Sequence, residues 1–290
     1  PMDPRPQLIR VAIDTGGTFT DLVARRADGQ ALRLKVPSTP HNPAHAVLDA
    51  LAQLQEELPG EISEVRHGTT VATNALLERR GARVALITTA GFEDILALRR
   101  QARPELYALH PTVPPPLVPS QRRLGLPERM NYRGEPTRSP SDLEGFLSRH
   151  RDVLSRVESL AICLLHAYAN GAHEREIAAA LKREFPDIPI TTSHELIPLS
   201  REYERTETVA ANAFVAPVMQ HYLQNLATEI APASLTVMDS SGGLMSVSRA
   251  TREPIRTALS GPAGGVLGAR AVGQRNNKAA LLSLDMGGTS

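Results

Sequence analysis

The sequence predicts an α/β fold built from two similar halves, on three observations. An apolar strand near the start, Val11-Ala12-Ile13, ends in Asp14 and a turn of small residues over 15–20. A second apolar segment, 281–284, leads into the same Asp-x-Gly-Gly-Thr pattern at 285–289. Between the two, segments with strand and helix periodicity alternate, which is typical of α/β proteins.

The first turn carries residue types suited to binding phosphate. Gly16 and Gly17 let the backbone turn tightly and leave amide N–H groups open to an anion. The hydroxyls of Thr18 and Thr20 can donate further hydrogen bonds to phosphate oxygens. Asp14 stands at the strand end, where a carboxylate can hold Mg²⁺ through water. An ordinary glycine-rich hairpin turn is the alternative for this stretch taken alone.

The repeat of this pattern favours a nucleotide site. Two such loops are expected to face each other across a cleft, one at the β-phosphate and one at the γ-phosphate, with the metal shared. Neither Gly-x-x-x-x-Gly-Lys-Ser/Thr nor Gly-x-Gly-x-x-Gly opening a helix occurs in the chain. The pattern resembles the phosphate loops of the actin, sugar kinase and heat-shock chaperone ATPase superfamily, which implies that fold, with duplicated halves around a nucleotide cleft.

Periodicity and turn residues give the elements between the loops. Apolar positions on one helical face predict a helix over 43–58 and a long helix over 201–230, and continuous apolar runs predict buried strands over 83–89 and 159–165. Further strands are expected at 32–36, 188–192 and 235–238, further helices at 141–156, at 173–185 and from 257, and a loop at 193–198.

The stretch His67-Gly-Thr-Thr is expected to precede a helix of about three turns that ends at Gly81. Its N-terminus, capped by Thr69 or Thr70, would attract an anion or a carbonyl oxygen. For His67 the alternative is a hydrogen-bonded structural histidine. The arginines over 99–103 either form a solvated charged face or line the substrate cleft.

Composition excludes several functional classes. The 290 residues carry a net charge of +1, no Trp and 3% aromatic residues, which argues against a nucleic-acid surface. No apolar stretch approaches the ~18 residues of a membrane span, and the start lacks the apolar core of a signal peptide. The single Cys163 excludes a disulfide within the chain and favours a reducing, cytoplasmic setting. Because a second hairpin would need a return strand after Ser290, we expect the sequence to be part of a longer chain.

Together the motifs occur in the order found in the hydantoinase A and 5-oxoprolinase family, which the chain resembles over essentially its whole length. The segments that carry the resemblance are 11–21, 67–77, 101–104, 202–206, 260–266 and 285–290. The likeness is to the N-terminal and central parts of a hydantoinase A subunit. It implies a lobe over 1–200 with the first phosphate loop, and a second lobe over 201–290 that is incomplete at its C-terminus.

The resemblance implies ATP-dependent hydrolysis of a cyclic amide of the hydantoin or lactam type, with ATP and Mg²⁺ as cofactors and a B-type (beta) subunit as partner. ATP would phosphorylate the carbonyl oxygen, and water would then attack the activated carbon. Because related alpha-type subunits belong to ketone carboxylases, a carboxylase is an alternative. Thr15, where 5-oxoprolinases carry arginine, favours the hydantoinase or carboxylase type. A chaperone-like ATP-gated binding module and a plain kinase are further alternatives.

The resemblance also implies roles for individual residues. Asp14 and Asp285 would orient the metal, and His67 would join them as a catalytic residue. The residues expected to bind phosphate or nucleotide are Thr15, Gly16, Gly17, Thr18, Thr20, Asp21, Gly264, Gly265, Gly287, Gly288 and Thr289. Those expected on the substrate side are Thr69, Thr70, Asn74, Arg103 and Arg205.

Overall fold

The computed structural model of the chain describes residues 7–39, 41–102, 104–109 and 112–286. The chain divides into two compact units: unit 1 consists of Pro1–Glu78 and Val218–Ser290, and unit 2 of Arg79–Pro217. These boundaries differ from the division at residue 200, which concerns the lobes of the family and stays a prediction. The second boundary between the units, at 217/218, lies within one long helix, Glu202–Glu229, which contributes residues to both units.

Unit 1 is built on a six-stranded mixed sheet. Its strands are β1 (Leu8–Thr15), β2 (Phe19–Arg26), β3 (Ala31–Pro37), β4 (Glu61–Thr69), β11 (Ser234–Met238) and β12 (Leu244–Ser246). The spatial order is β12-β11-β4-β1-β2-β3. The pairs β1–β4 and β4–β11 are parallel, so the carboxyl ends of these three strands lie at one edge of the sheet.

The helices of unit 1 are α1 (Pro43–Glu57), α2 (Val71–Leu77), the end of α7 (Glu202–Glu229), α8 (Val247–Arg252) and α9 (Ser260–Arg275). A 3₁₀ turn, Pro254–Thr257, precedes α9. Residues of β1 alternate between exposed and buried, and Ile9, Val11 and Ile13 form the buried face. This alternation is the period of two expected of a strand with one covered face.

Unit 2 contains a four-stranded parallel sheet in the order β10-β9-β5-β6. Its strands are β5 (Val84–Thr89), β6 (Arg123–Leu126), β9 (Ser159–Cys163) and β10 (Ile190–Thr192), and β7 (Arg129–Met130) pairs separately with β8 (Pro136–Arg138). Its helices are α3 (Ile95–Leu98), α4 (Leu143–Leu154), α5 (Ala172–Glu184), α6 (Ser193–Leu196) and the start of α7, with a 3₁₀ turn at Ser120–Arg122.

The core of unit 2 follows from the apolar runs seen in the sequence. Every residue of β5 and β9 is buried, as expected of central strands in a parallel sheet covered on both faces. Phe146 and Leu154 of α4 pack in the same core cluster as Ile177 and Leu181 of α5. Among the described residues, no helix combines the length and apolarity that crossing a bilayer would require.

Several element predictions are confirmed, and four need correction. The first hairpin, the helix from Pro43 and the buried strands of unit 2 are present. The segment predicted as a loop at 193–198 begins with α6, and the helix predicted from 257 begins at Ser260 after a 3₁₀ turn. The other two corrections concern the end of α2 and the stretch 281–284.

The helix after His67-Gly-Thr-Thr has seven residues, fewer than the three turns predicted, and ends at Leu77. Arg79, with φ of 54°, takes the left-handed conformation that was predicted for Gly81. Gly81 serves packing instead, since a Cβ at this position would overlap the Phe214 ring. The long helix α7 thus decides the role of this glycine.

Residues 281–284 were predicted as a strand, but the structure assigns them no strand. Leu282 and Leu284 are almost fully exposed, while Leu281 contacts Gly273 at the end of α9. An apolar run forms a strand only where a neighbouring strand pairs with its backbone, and within the described ranges no strand does so here.

Candidate functional site

The carboxyl end of β1 is the centre of the candidate site. In the sheet register, Asp14 lies opposite Asp21 of β2 on one side and Gly68 of β4 on the other. The Asp14 carboxylate extends over Gly68, because a Cβ added there would lie 2.6 Å from Oδ1. Only glycine therefore leaves room for the carboxylate in this position.

Ser38, which directly follows β3, stabilises the turn between β1 and β2. The Gly16 amide donates to the Phe19 carbonyl at 3.0 Å, which closes the turn. The Ser38 amide donates to the Thr18 carbonyl at 2.9 Å, and its hydroxyl donates to the Gly16 carbonyl at 2.8 Å. These bonds fix the backbone around Gly16 and Thr18, so the loop has a defined shape without a ligand.

Thr20 belongs to the inner side of this turn. Its side chain is buried, and its hydroxyl lies 3.0 Å from the Ser38 hydroxyl. Thr15 is buried as well, whereas Gly16, Gly17 and Thr18 are partly or fully exposed. Of the predicted phosphate ligands in this loop, the structure thus leaves 16–18 accessible and uses Thr20 to brace the turn.

The charges of three carboxylates, those of Asp14, Asp21 and Asp285, interact at this edge of the sheet. The pKa of Asp14 is raised by burial of the carboxyl group, and further by the charges of Asp21 and Asp285. Asp285 therefore lies close enough for its charge to act on Asp14. Asp21 forms an exposed ion pair with Lys35 at 3.1 Å. For Asp14 itself, the described part of the chain supplies no cation, so the site favours a positive ligand.

The N-terminus of α9 approaches the same carboxylate. A Cβ added to Gly261 would lie 3.8 Å from Oδ2 of Asp14, so Gly261 is a close neighbour. The Ser260 hydroxyl donates to the Thr69 carbonyl at 3.3 Å, and the Leu259 amide donates to the Thr73 hydroxyl at 3.1 Å. These bonds fix the first turn of α9 to β4 and α2, with its positive dipole end at Asp14.

Thr70 ties α2 to the end of β1. Its amide and its hydroxyl both donate to the Thr15 carbonyl, at 3.2 and 3.1 Å. The Asn74 side-chain amide lies 3.4 Å from the Thr70 hydroxyl, and the Val71 amide donates to the Thr69 hydroxyl at 3.2 Å. Of the residues predicted on the substrate side, Thr69 and Thr70 thus lie next to the end of β1, and Asn74 lies near Thr70. Their described contacts order the chain between β4 and α2.

His67 lies in the core under the site. Its ring is fully buried, with Nε2 2.6 Å from the Tyr222 hydroxyl of α7. Burial lowers the pKa of His67 to about 4, against a smaller opposite effect of the Ile13 backbone. The imidazole is therefore neutral at pH 7. The catalytic role predicted for His67 stays a prediction without support from this geometry, because the ring has no exposed surface in unit 1.

The remaining predicted nucleotide residues lie on or after α9. A Cβ on Gly264 would lie 3.1 Å from the Met238 sulfur at the end of β11, whereas Gly265 has open space around it. Asp285 is described, but Gly287, Gly288 and Thr289 lie outside the described residues. Arg103 lies outside them too.

Arg205 belongs to unit 2, whereas the residues just described belong to unit 1. Its side chain is buried and donates to the Ser193 hydroxyl, the Leu164 carbonyl at 2.7 Å and the Glu202 carboxylate. These contacts join the ends of β9 and β10 to the start of α7. The substrate-binding role predicted for Arg205 stays a prediction, and its described contacts are structural.

Two residues of the site escaped the sequence analysis. Ser38 was visible only as part of a Pro-Ser-Thr-Pro break after β3, with no sign of its bonds to the turn. Tyr222 fits the apolar period of the helix predicted over 201–230, and this pattern indicates no more than an ordinary core position. Its polar role depends on a hydrogen bond to a residue 155 positions away in sequence.

The residues present fit a hydrated Mg²⁺ bound with nucleotide phosphates. In the described ranges, no three His, Cys, Asp or Glu side chains group into a complete protein metal site. Mg²⁺ usually keeps several waters and uses only one or two carboxylates together with substrate phosphates. Asp14, held above Gly68 with a raised pKa, is suited to that arrangement.

Comparison with known proteins decides the family. A model of the hydantoinase/oxoprolinase N-terminal region matches residues 10–185, and a model described as hydantoinase/oxoprolinase matches residues 205–290. The chain belongs to the hydantoinase/oxoprolinase family. The resemblance expected from the motifs is thereby confirmed.

Curated relatives in the family differ in their named reactions. Caprolactamase subunit alpha of Pseudomonas jessenii is 33% identical, over 98% of this chain and 43% of that protein. The 5-oxoprolinase of Saccharomyces cerevisiae is 34% identical over 97% of this chain and 25% of that protein. The acetophenone carboxylase gamma subunit of Aromatoleum aromaticum is 30% identical over 97% of this chain and 41% of that protein. This chain therefore spans less than half the length of these relatives.

Solved structures confirm the fold class of this family member. The ATP-dependent caprolactamase from Pseudomonas jessenii matches with a TM-score of 0.85 at 30% identity, over 97% of this chain and 42% of that one. Nucleotide-free acetone carboxylase matches with a TM-score of 0.80 at 27% identity, over 94% of this chain and 41% of that one. The chain has the actin-like ATPase-type fold to which both belong.

Proposed function

We propose that this chain carries the phosphate-binding part of a cytoplasmic, ATP-dependent enzyme that hydrolyses a cyclic amide. In the proposed reaction, the carbonyl oxygen of the amide attacks the γ-phosphorus and ADP leaves. Water then adds to the activated carbon, and the ring C–N bond breaks to give an amine and an acyl phosphate. A second water hydrolyses the acyl phosphate to the acid and inorganic phosphate. An amide is a poor electrophile, so conversion of its oxygen into a phosphate leaving group makes ring opening feasible.

The observation that carries this proposal is the Asp14 carboxylate above Gly68. It stands between the rigid 16–18 turn and the N-terminus of α9, two groups of backbone amides suited to phosphate oxygens. Because the charges of Asp21 and Asp285 repel it, a cation bound there removes an unfavourable interaction. Phosphoryl transfer depends mainly on positioning and charge neutralisation, which this arrangement supplies.

Each residue has a limited task in this proposal. Asp14 and Asp285 would orient Mg²⁺ through its waters. The amides of Gly17 and Thr18 would hold phosphate oxygens, since the Gly16 amide is already bonded to the Phe19 carbonyl. A bound Mg²⁺ would neutralise charge on the phosphates during transfer. Thr70, at the N-terminus of α2, and Asn74, one turn further along, would orient the substrate; the bonds of Thr70 to the Thr15 carbonyl support this role. Gly265 leaves open space next to α9, which suits the approach of a nucleotide.

A ketone carboxylase is the second candidate, because an acetophenone carboxylase subunit and acetone carboxylase are among the similar proteins. In that reaction the enol oxygen of the ketone would take the γ-phosphoryl group of ATP, and ADP would leave. A bicarbonate oxygen would then take the phosphoryl group from the enol, which leaves an enolate and CO₂ and releases inorganic phosphate, and the enolate carbon would bond to the CO₂. The acetophenone carboxylase relative is a gamma subunit and the caprolactamase relative an alpha subunit, which supports a partner subunit in either case. Family membership makes a chaperone-like module or a plain kinase less favourable.

The test is release of ADP by the full-length protein, alone and with its partner subunit. The panel consists of hydantoins, lactams including caprolactam and 5-oxoproline, and ketones with and without bicarbonate. A cyclic amide is expected to raise ADP release and to yield one ring-opened acid per ADP.

The outcomes separate the candidates. Turnover that requires both a ketone and bicarbonate would replace the hydrolase proposal with the carboxylase. A stable phosphorylated product in place of an acid would indicate a kinase. Nucleotide-dependent peptide affinity without any small-molecule turnover would support the binding module.

A further inference from the structure

The buried pair of Tyr222 and His67 has no task in the proposed reaction. Tyr222 is 6% exposed and His67 is not exposed at all, and their polar atoms lie 2.6 Å apart. A phenol and an imidazole buried together cost free energy unless they are paired, so the bond must form in the folded unit. The pair lies in unit 1, which also contains Asp14.

The pair is part of a longer chain of polar contacts. Burial raises the pKa of Tyr222, while interactions with the hydroxyls of Thr69 and Thr15 lower it. Both threonine side chains are buried. Neither His67 Nδ1 nor Thr15 Oγ1 has a hydrogen bond of ordinary geometry among the described residues, although the Ile13 backbone acts on the His67 ring. The Tyr222 hydroxyl therefore bonds to His67 and lies close enough to Thr69 and Thr15 for their side chains to act on it.

The strand register shows what this junction holds. His67 pairs with Ile13, Gly68 with Asp14, and Thr69 with Thr15. Because successive side chains alternate between faces, the residues on both sides of the Asp14–Gly68 contact point to the face that Tyr222 contacts. One hydroxyl from α7 thus bonds to the β4 residue immediately before the Asp14–Gly68 contact, and it lies near the residues of β4 and β1 immediately after it.

We propose that Tyr222 is a positioning residue: through His67, Thr15 and Thr69 it fixes the ends of β1 and β4 so that Asp14 stays aligned over Gly68 for Mg²⁺-bound ATP. The proposal rests on the proposed function only in assigning Mg²⁺ and ATP to Asp14, and it is independent of the substrate. Groups behind first ligands typically change metal affinity or activity about 10–100-fold when removed.

The test compares Tyr222→Phe with wild type in the full-length protein. Equilibrium binding of ATP is measured with EDTA and with Mg²⁺, and the ratio of the two dissociation constants gives the gain from Mg²⁺. We expect Tyr222→Phe to reduce this gain about 10-fold or more, to leave ATP affinity in EDTA unchanged, and to lower kcat about 10–100-fold. A role in packing alone would not separate the two affinities.

Tyr132→Phe is the matched control, because it also removes a phenolic hydrogen bond, that with Arg133, from an exposed position in unit 2. It is expected to keep the wild-type gain and kcat. A folded Tyr222→Phe protein with the wild-type gain from Mg²⁺ overturns the proposal, even if its melting temperature falls.

A second variant covers the case that Tyr222→Phe does not fold. His67→Gln keeps a polar group beside the Tyr222 hydroxyl and is expected to fold with a smaller loss of the Mg²⁺ gain in the same direction. An unchanged gain in His67→Gln overturns the proposal as well. A wild-type protein that gains ATP affinity from Mg²⁺ but opens no cyclic amide contradicts the proposed substrate and leaves the role of Tyr222 intact.

Discussion

The carboxyl edges of the two sheets each hold a carboxylate, and the surroundings of the two carboxylates are opposite. In unit 1, Asp14 has like charges for neighbours and a raised pKa, and the described residues give it no cation. In unit 2, Glu174 at the start of α5 is fully buried and accepts four hydrogen bonds. The Asp14 carboxylate is therefore available to a ligand, whereas the Glu174 carboxylate makes its hydrogen bonds within the fold.

The bonds to Glu174 show what a structural carboxylate looks like. Its oxygens accept from the Leu164 amide at 2.9 Å, the Ser193 hydroxyl at 2.5 Å, and both the amide and ring Nδ1 of His194 at 2.9 and 2.7 Å. These donors follow β9 and β10, so Glu174 joins two strand ends. Glu128 is similar, since it meets the Thr89 hydroxyl and the His173 ring at 2.7 Å.

The difference teaches that position at a strand end does not identify a functional carboxylate. Both edges meet the rule that ligands of α/β folds bind at the carboxyl ends of strands. What distinguishes Asp14 is unsatisfied charge, since an acid with no internal partner favours a cation. Replacing the carboxylate at each edge by a neutral amide should therefore affect catalysis at Asp14 and stability at Glu174.

The largest expected effect is on catalysis, from Asp14→Asn. Loss of the carboxylate should lower ATP turnover by about 10³-fold while the protein stays folded, because charge neutralisation in the transition state depends on it. Steady-state ADP release measures the change. Asp28→Asn, in the exposed turn after β2, is the control and should keep wild-type turnover. Normal turnover by Asp14→Asn would remove Asp14 from the mechanism.

The next effect is on stability, from Glu174→Gln. The amide NH₂ would face donors where an oxygen now accepts, so we expect a loss of about 2–3 kcal/mol in the free energy of unfolding. Urea denaturation measures this loss. Glu176→Gln, exposed on the same helix, should change stability by less than ~0.5 kcal/mol. Equal stabilities of the two variants would show that Glu174 is not structural.

Gly68→Ala tests the geometry of the unit 1 edge. The added methyl would meet the Asp14 carboxylate and displace it, and a misplacement of about 1 Å can cost about 10²-fold in rate. Gly268→Ala, on α9 with open space around it, is the matched control and should keep the wild-type rate. If both variants turn over ATP equally, the space that Gly68 leaves for the Asp14 carboxylate has no role in catalysis.

His67 should leave a signature in the pH dependence of stability. Its pKa is lowered in the folded state from 6.5 to about 4, so the unfolded chain binds the proton first as pH falls. Stability is therefore complete above pH 6.5 and is lost on acidification, by about 2 kcal/mol between pH 7 and pH 5. Urea titrations of wild type and His67→Gln should show this loss only in the wild type. A parallel decline in both would indicate that His67 titrates normally.

The smallest expected effect is on the melting temperature, and it distinguishes Asp14 from a structural carboxylate such as Glu174. Because the pKa of Asp14 is raised in the folded state, its ionised form costs stability, and this cost appears as pH rises above the ordinary value. Asp14→Asn should therefore melt about 1–3 °C higher than wild type at pH 7 without nucleotide, and equally at about pH 3, below the ordinary pKa. Solvent screens part of the effect because the side chain is exposed. A lower melting temperature would place Asp14 with Glu174, among the structural carboxylates.

Local patterns in the sequence were sufficient for the first hairpin, for α1 and for the buried strands of unit 2. The predictions failed where a distant segment decided the outcome. Gly81 was predicted to end a helix, and the approach of Phe214 sets its role instead. The stretch 281–284 has the composition of a strand, but a strand also needs a paired neighbour.

The sequence by itself determined the family, the α/β class and the acidic turn at Asp14, because these depend on residue types at short, fixed spacings. The tertiary structure alone decided that Asp14 lies over Gly68, that His67 is buried against Tyr222, and that Arg205 is occupied in unit 2. Each of these facts joins residues far apart in the chain. Their energies arise from burial and register, which only the folded backbone fixes.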